Sequence, residues 1–140
     1  MSVQIEVTRD IATCLELRRI VFIDEQGVSE ADERDDLDDA AVHLLARAGG
    51  AAVGSARLLH MGDVGKIGRV CVLATARGQG IGAALIRAAI EVFRAMPGIT
   101  QVKLGAQTHA VAFYEQLGFT AYGDVYDDAG IPHRDMVFTL

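Results

Sequence analysis

The sequence predicts a mixed α/β fold: a central, mostly antiparallel sheet with one parallel crossover and helices on both faces. Three observations predict it. The chain opens with a strand-like alternation followed by a helical stripe, a glycine pair joins two β-like runs, and the longest amphipathic helix lies between two further strand-like runs. With 140 residues, 51% of them apolar and 23% charged, the chain is large enough for one compact core and far from a disordered composition. One domain over residues 1–140 is expected.

Val3 to Val7 (VQIEV) alternates apolar and polar and reads as a strand; Asp10 then stands where a helix N-cap belongs, ahead of Ile11, Cys14, Leu15, Arg18 and Phe22 at helical spacing. Nine of the nineteen acidic residues fall between Asp24 and Asp39, too charged and aperiodic for a core element, so this segment is expected to be a loop with at most a helical turn. Ala41–Ala48 and Ala51–His60 are strand-like runs joined by Gly49-Gly50, a two-residue hairpin signal. A third run spans Lys66 to Leu73. Ile81, Ala84, Leu85, Ala88, Ala89, Val92 and Phe93 then recur at helical spacing until Pro97-Gly98. Thr100–Ala106 reads as a strand, His109–Leu117 as a short helix stopped by Gly118, and Phe119–Tyr126 with Arg134–Leu140 as a closing pair of strands.

A net charge of −6 disfavours the basic footprint that nucleic acid requires. No apolar run approaches a membrane span, and the N-terminus lacks a basic start or an apolar stretch, so a soluble, cytoplasmic protein is expected. Cys14 and Cys71 form no C-x-x-C pair, and packing roles are expected for both. His43, His60 and His109 share no metal-ligand spacing, and no metal is expected.

Most chemical information lies in the turn before the long helix, Arg77-Gly78-Gln79-Gly80-Ile81-Gly82. A helix N-terminus rich in glycine offers unpaired amides and the positive end of the helix dipole to an anion, and Arg77 adds a charge at the same mouth. Three readings compete. The turn formally fits G-x-G-x-x-G/A, yet the positions about twenty residues on are Gln101 and Lys103, not the acid that a dinucleotide ribose requires. No Gly-Lys-Ser/Thr of a phosphate loop is present. The turn could also serve tight strand-to-helix packing alone.

The third reading rests on a resemblance. Arg77 to Gly82 resembles the R/Q-x-x-G-x-G/A pattern of the GCN5-related N-acetyltransferases, and Phe113-Tyr114-Glu115-Gln116-Leu117-Gly118-Phe119 resembles that superfamily's downstream F-Y-x-x-x-G-F segment. Val21-Phe22-Ile23-Asp24-Glu25-Gln26, Ala106-Gln107-Thr108 and Gly130-Ile131-Pro132-His133 extend the likeness, which is to the small bacterial branch related to glyphosate N-acetyltransferases. Many relatives carry Asn seven residues before the Tyr; here that residue is Gln107.

The resemblance implies direct transfer of an acetyl group from acetyl-CoA to a primary amine of a small molecule or peptide. Backbone groups of Val70, Cys71 and Val72 are then expected to hold the pantetheine arm, Arg77 to Gly82 the diphosphate, and Gln107 to take the place of the Asn. Tyr114 is the implied acid for the departing thiolate. An alkylamine with a pKa near 10.4 is almost entirely protonated at neutral pH, so a base is needed. His133 matches a histidine that serves so in the glyphosate-acetylating relatives, and Glu25 is the rival. The acidic cluster favours a cationic acceptor, whereas Arg18, Arg19 and Arg134 favour an anionic one; Arg47 and Arg57 are expected to decorate a sheet face. A homodimer is the expected assembly, as in many relatives. The alternative from another class is an acyl-CoA-binding sensor that has lost catalysis.

Overall fold

The computed structural model describes residues 3–140. Seven strands form one sheet: β1 (Val3–Thr8), β2 (Val42–Ala48), β3 (Ala51–Met61), β4 (Val64–Val72), β5 (Gln101–Gln107), β6 (Thr120–Asp128) and β7 (Ile131–Thr139), in the order β1-β2-β3-β4-β5-β7-β6. Every neighbouring pair is antiparallel except β4 and β5, which run parallel across the crossover.

Helix α1 (Ile11–Arg18) begins at Asp10, whose carboxylate accepts from the Thr13 amide at 3.1 Å. It does not stop where the acidic residues begin but continues as a π-helical segment, Arg19–Glu25. Cys14, Leu17 and Val21 pack from this helix against Leu45 and Cys71 on one sheet face. The opposite face, carrying Leu44, Ala46 and Leu58, packs under α3 (Ile81–Arg94), which buries Ile81, Leu85, Ile86, Ala89, Ile90 and Phe93. Adjacent residues Leu44 and Leu45 thus serve opposite layers, as strand alternation requires. Each such side chain contributes about 1.5–3 kcal/mol of hydrophobic burial. Phe93 lies against Gly65 so closely that its ring occupies the space of a Cβ there. Helix α4 (Val111–Gln116) follows a single 3₁₀ turn and packs Val111 and Tyr114 onto the same side as α3. Cys14 and Cys71 are both buried, and burial pushes the Cys14 thiol up to about 11.

The acidic segment departs from expectation. It carries a short helix, α2 (Glu30–Glu33), and its Glu33 and Asp38 turn inward, 3% and 9% exposed. Arg18, 1% exposed, donates Nε to Glu33 at 2.5 Å and Nη1 to Asp38 at 2.8 Å. Arg57, expected on a sheet face, is buried and donates Nη1 to Asp35 at 2.7 Å and to Asp38 at 3.2 Å. These ion pairs pin the acidic segment onto the sheet, and Arg18 and Arg57 are therefore committed within the protein. Arg47, by contrast, lies exposed beside Glu6.

Two irregularities shape the rest. Against β3, Ala56 opposes both Arg69 and Val70, a bulge in which Arg69 takes φ 51°. Against β7, Arg134 opposes Gly123, Asp124 and Val125; Gly123 takes φ 74°, and its carbonyl accepts from Arg134 Nε at 3.0 Å. Among the described residues, no helix is long and apolar enough to cross a membrane.

Candidate active site

Strands β4 and β5 pair only from Val64/Gln101 to Ile67/Leu104. Beyond that point β4 continues to Val72 and β5 to Gln107 without pairing, so the sheet opens into a cleft of about 1030 Å³ with Val70, Leu104, Tyr114 and His133 on its walls. At its mouth, Gly78 and Gly80 take φ 78° and 79°, the left-handed conformation that glycine adopts without a Cβ penalty. Gly80 is the N-cap of α3 and supplies no side chain to cap it. The first intrahelical bond runs from Ala84 to Gly80, which leaves the Ile81, Gly82 and Ala83 amides facing the mouth without a helical partner. Open space lies where side chains at 78 and 80 would project. Gln79 is exposed between the two glycines, while the Ile81 side chain turns into the core. Uncapped amides at a helix start, with room in front of them, suit a diphosphate.

Arg77 is not free at this mouth. Its guanidinium forms a two-pronged pair with Glu25, at 2.5 and 2.7 Å, and its Nε donates to the Val72 carbonyl at 3.1 Å. The hydrogen bonds and charge of Arg77 hold the Glu25 carboxyl below the usual carboxylate range. A carboxylate so held is a weaker base, which disfavours Glu25 in that role. Glu25 ends the π-helical segment, so the pair ties that segment to the glycine turn.

Along β4, Leu73 donates its amide to Val53 of β3. By alternation the Cys71 peptide also turns toward β3, and its side chain is buried under α1, so Cys71 is the least available of the three residues expected to meet a pantetheine arm. The Val72 peptide faces the cleft, where its carbonyl is the one met by Arg77. On β5, Leu104 and Ala106 enter the core while Gly105 and Gln107 face the cleft. Gln107 Nε2 donates to Gln26 at 3.1 Å, and its Oε1 lies 2.7 Å from His109 Nε2.

Tyr114 sits between Phe113 and Phe119, both edge-on to its ring. Burial alone pushes its phenol up to about 12, so the hydroxyl keeps its proton at neutral pH. His133 lines the same cleft, with Nδ1 2.7 Å from the Ile131 carbonyl. A carbonyl only accepts, so a neutral His133 carries its proton on Nδ1 and leaves the Nε2 lone pair unprotonated. Tyr126 stacks on His133 and donates its hydroxyl to Asp135 at 2.7 Å.

The structure thus brings Tyr114, His133 and the glycine turn to one cleft. Sequence reasoning missed Arg69, Gly105 and Tyr126 there. Arg69 reaches back from the bulge to donate Nε and Nη2 to the Glu33 carbonyl at 3.2 and 3.0 Å. A lone glycine inside a strand marks close approach of another group, and Gly105 was the signal for Tyr126.

Comparison with known proteins shows the family. Residues 20–140 match the family model described as an acetyltransferase (GNAT) domain. YjcF of Bacillus subtilis, named an uncharacterized N-acetyltransferase, is 35% identical over 122 residues, 86% of each chain. The crystal structure of an acyl-CoA N-acyltransferase from Pseudomonas aeruginosa is 33% identical with a TM-score of 0.84, covering 98% of each chain. A Bacillus subtilis acetyltransferase solved in complex with CoA shares the fold at 18% identity and a TM-score of 0.76, covering 99% of each chain. The unpaired cleft between two parallel strands, the uncapped glycine turn and the match over most of the chain place this protein in the GNAT acetyltransferase family.

Proposed function

We propose that the protein transfers an acetyl group from acetyl-CoA directly to a primary amine of a small molecule, in the cytoplasm. The observation that carries this reading is the shared cleft: uncapped amides of α3 at its mouth, unpaired strand edges along it, and Tyr114 and His133 on its walls. Acetyl-CoA supplies the activated thioester. The Gly78–Gly82 turn would hold its diphosphate, and the open edges of β4 and β5 its pantetheine arm, with peptide groups as partners.

His133 Nε2 accepts the proton of the acceptor ammonium while Nδ1 stays bonded to the Ile131 carbonyl, which leaves the free lone pair on Nε2. The Tyr114 hydroxyl donates toward the departing sulfur. Its phenol, at about 12, lies some 3.5 pKa steps above an ordinary thiol near 8.5, so complete proton transfer would be uphill by about 5 kcal/mol. Tyr114 therefore acts chiefly as a hydrogen-bond donor to developing negative charge. The likeness of Gly130 to His133 to the glyphosate-acetylating branch supports the same assignment of the base.

The test is a calorimetric titration with CoA, followed by a screen of amines, amino acids, aminosugars and peptides for release of CoA thiol from acetyl-CoA. CoA binding with turnover of at least one amine class is the expected result. Absence of CoA binding overturns the reading; binding without turnover of any class makes the protein a sensor instead.

A further inference from the structure

We propose that Tyr126 is a positioning residue, anchored by Asp135 over the bare backbone of Gly105, that holds the His133 ring in its base-competent orientation. The inference rests on the reading of His133 as the base. Three strands place these groups in two adjoining rows: Gln107, His133 and Tyr126 lie side by side, and Gly105, Asp135 and Tyr122 form the next row. Tyr126 is the direct cross-strand partner of His133, and the rings stack at 6.0 Å between centroids and 24° between planes. The Tyr126 side chain then leans diagonally into the other row, where its hydroxyl donates to Asp135 at 2.7 Å.

The lean depends on Gly105. The Tyr126 hydroxyl occupies the place of a Cβ on that residue, although Gly105 has no unusual backbone conformation. Its lack of a side chain thus serves the neighbour and not the local chain path. The bulge at Gly123 to Val125 supplies the last condition. Three residues of β6 oppose Arg134 alone, and Arg134 fixes the Gly123 carbonyl, so β6 re-enters register at Tyr126 opposite His133. A ring held on one face by the phenol and at Nδ1 by the Ile131 carbonyl has little freedom to rotate.

The experiment reads His133 directly. Two-bond ¹H–¹⁵N spectra of the full chain at about pH 8.5, well above the ordinary imidazole range, report the tautomer, with His133→Gln giving the assignment. The parent should show the Nδ1–H form. Tyr126→Leu should shift the signal toward the Nε2–H form, Gly105→Ala should do the same from another strand by expelling the hydroxyl, and Tyr126→Phe, which keeps the stacked ring, should fall between. CoA titration confirms that each variant is folded. An unchanged Nδ1–H signal in both Tyr126→Leu and Gly105→Ala overturns the proposal.

Kinetics with the amine turned over fastest in the screen then separate the two readings. Tyr126→Leu should lower kcat on the order of tenfold to a hundredfold, the scale of a misplaced catalytic group, and should cost little further in the His133→Ala background. Equal losses in both backgrounds overturn the positioning role while leaving His133 as the base. A His133→Ala variant with full turnover overturns the base assignment itself, whatever the spectra show.

Discussion

Replacing Arg18 by Leu should unfold the protein well below the temperature of the parent. Arg18 is 1% exposed and bonded to Glu33 and Asp38 at 2.5 and 2.8 Å. Without it, Glu33, itself 3% exposed, keeps among the described residues only Arg69 Nε at 3.7 Å as a charged partner. Removing one member of a buried ion pair costs about 3–5 kcal/mol, because the other charge stays desolvated. For a chain of this size each kcal/mol is worth about 3–5 °C, so the melting temperature should fall by roughly 10–20 °C. Thermal and urea unfolding followed by circular dichroism at pH 7 measure this. Arg18→Leu combined with Glu33→Leu should recover at least half the loss, since an apolar pair of similar volume often matches a buried ion pair. A single variant within about 1 kcal/mol of the parent, or a double variant no better than the single, refutes the reasoning. The same cluster sets an acid limit. Burial raises the Asp38 carboxyl, but the hydrogen bonds and charges of Arg18 and Arg57 outweigh it and hold the group below its ordinary value. A depressed carboxyl stabilises the fold above its unfolded pKa near 3.9 and loses that contribution as pH falls through the lower folded value. The advantage of the parent over Asp38→Asn should therefore fade below about pH 4.

Three other outcomes are expected. Tyr114→Phe should lower kcat by about a hundredfold, within the range of a lost proton donor, while calorimetry finds CoA affinity within twofold of the parent. Glu25→Gln should lower kcat by less than about tenfold, where His133→Ala costs about a hundredfold or more; steady-state rates showing the reverse order would make Glu25 the base. Gly65→Ala forces a Cβ into the Phe93 ring and should cost about 1–3 kcal/mol in urea unfolding, with CoA affinity spared because the turn lies at the other end of α3.

Where the determinants of structure are local, the sequence was legible. Asp10 caps α1, Gly49-Gly50 turns the hairpin between β2 and β3, and the apolar stripe of α3 is buried along its length. The glycine turn was legible for the same reason: a left-handed backbone and a helix start leave a mark within a few residues. The buried acids were not. Glu33 and Asp38 turn inward because Arg18, 15 and 20 residues away, meets both there and Arg57 on β3 meets Asp38, and no short window of sequence contains both partners. The π-helical continuation through Glu25 has no signature in residue type. Tyr126 was hidden by the bulge: alternation puts Tyr122 and Tyr126 on one face, but the two extra residues of β6 shift the pairing so that Tyr126 meets His133, a register that no local pattern gives. The pairing of Arg77 with Glu25 spans 52 residues, so two groups read as separate tools proved to be occupied with each other.

The opening between β4 and β5 bears on how such a protein can change. Every residue type except proline carries the same main-chain donor and acceptor, so a wall made of peptide groups keeps its grip through nearly any drift in its side chains. The side-chain part of the lining, where Tyr126 and His133 stand, has no such tolerance. Under the function proposed above, descendants of one ancestral enzyme could therefore exchange one nitrogen nucleophile for another by altering a handful of positions while the half that would grasp the thioester stays as it was.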